Sequence, residues 1–175
     1  MPDNEKRLSE LPVYPHTGSY AREHNELPQY RESNLSLIAC RNAIDVAIRN
    51  HFDGMHLDSA AARSVLEEYG AERTFFVLAN TVQQKAWDGR FSAANKAWAQ
   101  SIAIPEDVVN GFDRRTQYIS QSHPAVLNGY IDMARREAQQ LEGKGKPSVR
   151  DQIATARKSS AKQVSHPRKH GANVR

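Results

Sequence analysis

Three short stretches of this 175-residue chain bring together residue types that can do chemistry. In His51-Phe52-Asp53-Gly54-Met55-His56, two imidazoles and a carboxylate fall within six residues. Imidazole and carboxylate are the usual proton-transfer and metal-ligating groups. Metal ligands on a helix stand three or four apart so that both share a face, as in H-E-x-x-H. Here the histidines are five apart and a glycine separates them, so His51, His56 and His123, with Cys40, form a metal site only if the fold gathers them. The competing reading is a helix end, with His51 beside the last carbonyls, Gly54 in the left-handed conformation, and Met55 and Leu57 in the core. The spacing favours that reading, and no metal or other cofactor is expected.

The second stretch, Trp87-Asp88-Gly89-Arg90-Phe91, is a turn with an aromatic residue at each end. Tryptophan, arginine and phenylalanine are the side chains that anchor protein interfaces when exposed and fill cores when buried. Trp87, Arg90 and Phe91, with Trp98 further along, are the partner-binding candidates. In the third, Ser122-His123-Pro124, a hydroxyl adjoins an imidazole. Adjacent residues seldom face each other, and Pro124 explains the pattern as a helix start. The chain has no phosphate-cradling glycine loop and no C-x-x-C pair, so no catalytic residue is assigned.

The elements that must hold these residues read as helices. Residues 1–16 carry three prolines and no apolar period and are expected to form an irregular arm. A short helix follows, capped by Thr17 or Ser19, and Pro28 interrupts it or starts the next. Leu37, Cys40, Ile44, Ala47 or Ile48, and His51 or Phe52 recur three or four apart and predict the longest helix, ending at Asp53-Gly54. Asp58 reads as an N-cap for a helix 59–69 that stops at Gly70. The next helix is expected to bury Phe75, Leu78, Ala79, Val82 and Ala86. Ser92 caps one bearing Ala94, Ala97, Trp98 and Ile102. A short helix around Val108 and Val109 and an irregular piece over 116–120 precede the last. That one has Pro124 in its first turn and Leu127, Tyr130, Ile131, Ala134, Ala138 and Leu141 as its stripe. Helices 59–69 and 71–86 have the lengths of a DNA-reading helix-turn-helix. However, Phe75-Phe76-Val77-Leu78 wants burial on more than one side, which predicts a core hairpin instead. Strand signals are nearly absent, so the fold class is all-α: a compact multi-helix bundle over 17–142.

Charge divides the chain differently. Of 24 Lys and Arg, nine lie from Lys144 onward with only Asp151 against them; of 20 acids, 19 lie before it. The front therefore carries about −4 and the last segment about +8. Residues 143–175 are expected to form a basic flexible tail with a short helix over 148–162 that orders on binding. Lys144, Lys146, Arg150, Arg157, Lys158, Lys162, Arg168 and Lys169 are its candidate phosphate contacts, to DNA or RNA, without base reading. A single cysteine excludes an internal disulfide, no apolar leader opens the sequence, and no run is long enough to span a bilayer. A cytoplasmic location without membrane contact is the expectation.

Several phrases occur together in one order: Tyr20-Ala21-Arg22-Glu23-His24, His51 to Leu57, Leu78-Ala79-Asn80-Thr81-Val82, Asp88-Gly89-Arg90-Phe91-Ser92, Asn95-Lys96-Ala97-Trp98-Ala99 and Ser122-His123-Pro124-Ala125-Val126-Leu127. On these the chain resembles, over 14–138, a bacterial domain family carried by conjugative elements, plasmids and phages, sometimes inside polyvalent proteins. The resemblance lends no catalytic residue. It implies a setting: proteins that help an incoming element establish itself, often against host defence. The leading expectation is a non-enzymatic protein that binds a host nuclease or other nucleic-acid-handling protein, such as an inhibitor of a Cas9-type anti-invader nuclease (an anti-CRISPR), with its tail on nucleic acid. The alternatives are a DNA-binding accessory protein for conjugative transfer or plasmid replication, and a small metal-dependent enzyme.

Overall fold

The computed structural model describes residues 7–106 and 124–145. The expected elements around Val108 and over 116–120, the Ser122-His123 cap, and the tail with its helix 148–162 lie outside the described residues. The chain divides into two compact units, Met1–Ala138 and Gln139–Arg175. Of the second, only the end of the last helix is described.

The fold is mainly helical: six α-helices, one 3₁₀ turn (Leu8–Glu10) and no strand among the described residues. Helix α1 (Gly18–Glu23) starts where Thr17 Oγ1 accepts from the Tyr20 amide at 3.2 Å. It ends at Asn25, whose φ of 58° is the left-handed conformation that lets the Glu26 amide reach back to the Ala21 carbonyl. Pro28 begins α2 (Leu27–His51), whose buried stripe of Leu37, Cys40, Ile44, Ala47 and Ile48 is the one its spacing predicts. At 25 residues it is about 37 Å long.

Helix α3 (Ala60–Tyr69) is held at its start by Asp58, whose Oδ1 accepts from the Ala60 amide at 3.0 Å. Helix α4 (Ala71–Gln84) follows after a single residue, Gly70, with φ 81° and ψ 159°. This is not the left-handed helical conformation that commonly follows a helix. It is an extended conformation open to glycine, and it turns α4 back along α3 without a loop. A Cβ there would stand 2.9 Å from the Ser9 carbonyl oxygen of the arm.

Helix α4 is central. Phe76, Val77, Leu78, Ala79 and Val82 are buried, as are Thr74 and Thr81. Those hydroxyls donate to the Gly70 and Val77 carbonyls one turn back, at 2.8 and 2.7 Å, so they cross an apolar interior without loss of hydrogen bonding. With Arg73, Thr74 and every residue from Phe76 to Val82 buried, α4 has no polar face to lay against bases, and the hairpin reading stands over the DNA-reading one. Phe75 is only half-buried, and the helix stops before Ala86, which is exposed.

Ser92 caps α5 (Ala93–Gln100), accepting from the Asn95 amide at 3.1 Å. Its inward face is Asn95 and Ala99; Ala94 and Ala97, expected inside, are exposed. Helix α6 (Pro124–Gly145) buries Leu127, Tyr130, Ile131, Ala134 and Ala138 as its stripe predicts, while Leu141, the last of that stripe, is half-buried. It runs on through Gly143, where the sequence placed the end of the domain. Tyr130 Oη donates to the Ala61 carbonyl at 3.1 Å, tying α6 to α3.

The arm is irregular, as expected, but docked. Val13 is buried, the Tyr14 amide donates to Ser33 Oγ at 3.0 Å, and Arg73 of α4 donates to the Leu8 carbonyl.

Candidate functional site

The segment after α2 is a tight turn. Asp53 Oδ1 accepts from the Met55 and His56 amides at 2.8 and 2.7 Å, and Phe52 pairs with Leu57 across it. The two amide donors hold the Asp53 carboxyl below its usual range. Gly54 supplies the positive φ, 101°. His56 Nδ1 lies 3.9 Å from Asp53 Oδ2, with both side chains largely in solvent. Met55, which the helix-end reading placed in the core, is 84% exposed, and Leu57 is half-buried.

Among the described residues no three of His, Cys, Asp or Glu are placed to hold a metal ion. Cys40 is fully buried beside Thr74, and desolvation pushes its thiol up to about 12. His51 and His56 belong to the turn, and His123 lies outside the described residues.

The second stretch has a clear geometry. Asp88 is buried, and Arg90 forks onto it: amide and Nε to Oδ1, each at 3.0 Å, and Nη2 to Oδ2 at 2.8 Å. Those bonds hold the Asp88 carboxyl down at about 2. The clamp fixes the turn between two aromatic rings with opposite fates. Phe91 is 2% exposed and belongs to the core, so as it stands it cannot meet a partner. Trp87 stands 79% exposed on the other side of the clamp. Trp98 is half-buried, with the Phe75 edge against it at 5.4 Å between ring centroids and the Arg135 guanidinium 5.4 Å over its face. Of the four partner-binding candidates, Trp87 presents its ring, Arg90 is partly exposed with its fork on Asp88, Trp98 offers part of its surface, and Phe91 offers none.

Behind this turn lies a polar network that the sequence reading missed. Asn95 is fully buried; its Nδ2 donates to Asn128 Oδ1 and Asp132 Oδ1, both at 2.9 Å, and its Oδ1 accepts from Arg135 at 2.9 Å. Asn128 Oδ1 also accepts from the Ser92 amide at 2.9 Å. The network locks α5 to α6 and so fixes the platform on which Trp98 and the turn sit. An asparagine on a helix face otherwise made of small residues was the available signal.

The candidate phosphate contacts Lys146, Arg150, Arg157, Lys158, Lys162, Arg168 and Lys169 lie outside the described residues, as does the side chain of Lys144. No described helix is long and apolar enough to cross a membrane. No curated protein and no solved structure matches the chain. A family model does match it, over residues 13–139, from the arm's buried Val13 through the buried stripe of α6. The matched stretch takes in the Asp53 turn, the Asp88–Arg90 clamp and the Asn95 network alike, and the chain belongs to the family described as protein of unknown function, DUF3849.

Proposed function

We propose that this chain is a non-enzymatic binding protein supplied by a mobile genetic element. Its helical domain engages a host nucleic-acid-handling protein, foremost a Cas9-type nuclease in an anti-defence role, and its basic C-terminal segment contacts DNA or RNA. The observation that carries the protein-binding half is Trp87. An indole left 79% exposed keeps a large apolar surface in water, and tryptophan is among the side chains that dominate interface energetics. The Asp88–Arg90 clamp beside it restricts the turn before any partner arrives, which lowers the entropy lost on docking. The nucleic-acid half is supported by the charge pattern, nine cations against one acid after Gly143. The mobile-element setting is supported by the ordered sequence phrases.

The test is a pull-down from host lysate treated with nuclease, using the full chain as bait. The expected outcome is a retained protein partner that is lost with Trp87→Ala while the helical circular dichroism is unchanged. Recovery of nucleic acid alone, and of no protein once nuclease is added, defeats the reading. It would favour an accessory protein that holds element DNA during transfer or replication.

A further inference from the structure

The arm, α2 and the start of α4 enclose a cleft of about 630 Å³, a volume in the range of small-molecule and peptide sites. One wall is the arm segment Leu11 to Pro15, and the other is the first half of α2. Leu11, Pro12 and Val13 make the arm side apolar. Glu32 and Glu72, from α2 and α4, line the cleft from exposed positions; both carboxylates favour the charge on Arg73 beside them, and the two acids outnumber that one cation.

Arg73 lines the same cleft and is 1% exposed. Its Nη1 donates to the Leu8 carbonyl, while its Nε has no acceptor among the described residues. A buried guanidinium N–H without an acceptor is uncommon, because the lost hydration is not replaced.

These features ask for one occupant with three parts: an oxygen acceptor for Arg73 Nε, an ammonium for the two carboxylates, and an apolar body against Leu11 and Val13. We propose that the cleft binds a short peptide in which a lysine adjoins an apolar residue. A main-chain carbonyl or terminal carboxylate accepts from Arg73, the lysine ammonium lies between Glu32 and Glu72, and the apolar side chain packs on the arm. Arg73 Nε is sealed from solvent, so the arm segment moves outward as the acceptor enters. That movement breaks the two hydrogen bonds that hold Tyr14 to the start of α2, from its amide to Ser33 Oγ and from its Oη to Glu26 Oε2. The inference uses neither the Trp87 turn nor the C-terminal segment, so it stands or falls apart from the function proposed above.

The probe is leucyl-lysine, titrated into the full chain and followed by proton–nitrogen NMR. Saturable shifts are expected at Val13, Glu32 and the Arg73 Nε–H together, at concentrations of about 1 mM. The double variant E32Q/E72Q, altered only at exposed positions, should bind at least about fivefold more weakly. Leucyl-glutamate, which reverses the side-chain charge, should bind more weakly still. An Arg73 Nε–H resonance unmoved at about 10 mM, a smaller loss in the double variant, or equal binding of leucyl-glutamate overturns the proposal.

Discussion

Trp87 and Phe91 lie four residues apart on either side of one clamp, yet only one can be removed without harm to the fold. Phe91→Ala empties a buried ring position and should lower unfolding stability by about 3–5 kcal/mol, read from urea denaturation. Trp87→Ala should stay within about 0.5 kcal/mol of the parent in the same measurement, because its ring touches little. The clamp itself should be visible in pH. Asp88 has its folded pKa depressed from 3.8 to about 2, so its contribution is fully present above pH 4 and lost as pH falls through 2. Asp88→Asn should therefore be less stable than the parent at pH 5, and the gap should narrow steadily toward pH 2. A constant gap would mean the carboxylate charge is not what Arg90 holds. The sequence named this turn but could not sort its rings, since turn residues have no fixed period to say which side faces the core. It also passed over Arg73, because a cation within an apolar run reads as a gap in the stripe rather than as a buried group.

Among the elements, the stripes of α2 and α6 were legible because each buries one face over many turns, and the 3.6-residue period then dominates. Helix α4 was legible as a core element for the opposite reason, its crowding of Phe76, Val77 and Leu78, though Phe75 and Ala86, expected inside, are not buried. Helix α5 was misread: with eight residues it has barely two turns, and its inward face is set by the Asn95 network rather than by apolar spacing. The arm was the largest surprise, since proline-rich sequence predicts its lack of helix correctly but says nothing about docking. Gly70 joins these elements. Its φ of 81° and the approach of Ser9 leave no room for a side chain on the α3–α4 junction or under the arm. Gly70→Ala should cost more than about 1 kcal/mol. It should also free the arm first: protection of the Tyr14 amide against hydrogen exchange should drop by more than that of Val77. Equal loss at both sites would show that the arm and the helical core open as one.

At the scale of the whole chain, apolar residues in helical spacing come before Gly143 while positive charge accumulates after it, and the function proposed above assigns one mode of binding to each. Residues 1–143 carry four more acids than bases, a balance that disfavours phosphate, so the proposed contact with nucleic acid falls to the C-terminal segment. That asymmetry makes salt the decisive variable. Each phosphate neutralised on a duplex releases counterions, so log K falls against log salt with a slope of about −0.9 per contact. Replacing Arg157, Lys158 and Lys162 together by Gln, in the full chain, should make the slope shallower by up to about 2.7. The affinity ratio between two unrelated duplexes should stay near one, because phosphate contacts carry no sequence information. Binding of a protein partner through Trp87 should keep its strength in the same triple variant, since an indole in an apolar pocket is indifferent to screening. A slope left unchanged by the loss of three cations would place the nucleic-acid contact elsewhere. Loss of the protein partner in that variant would show that the two modes of binding are one.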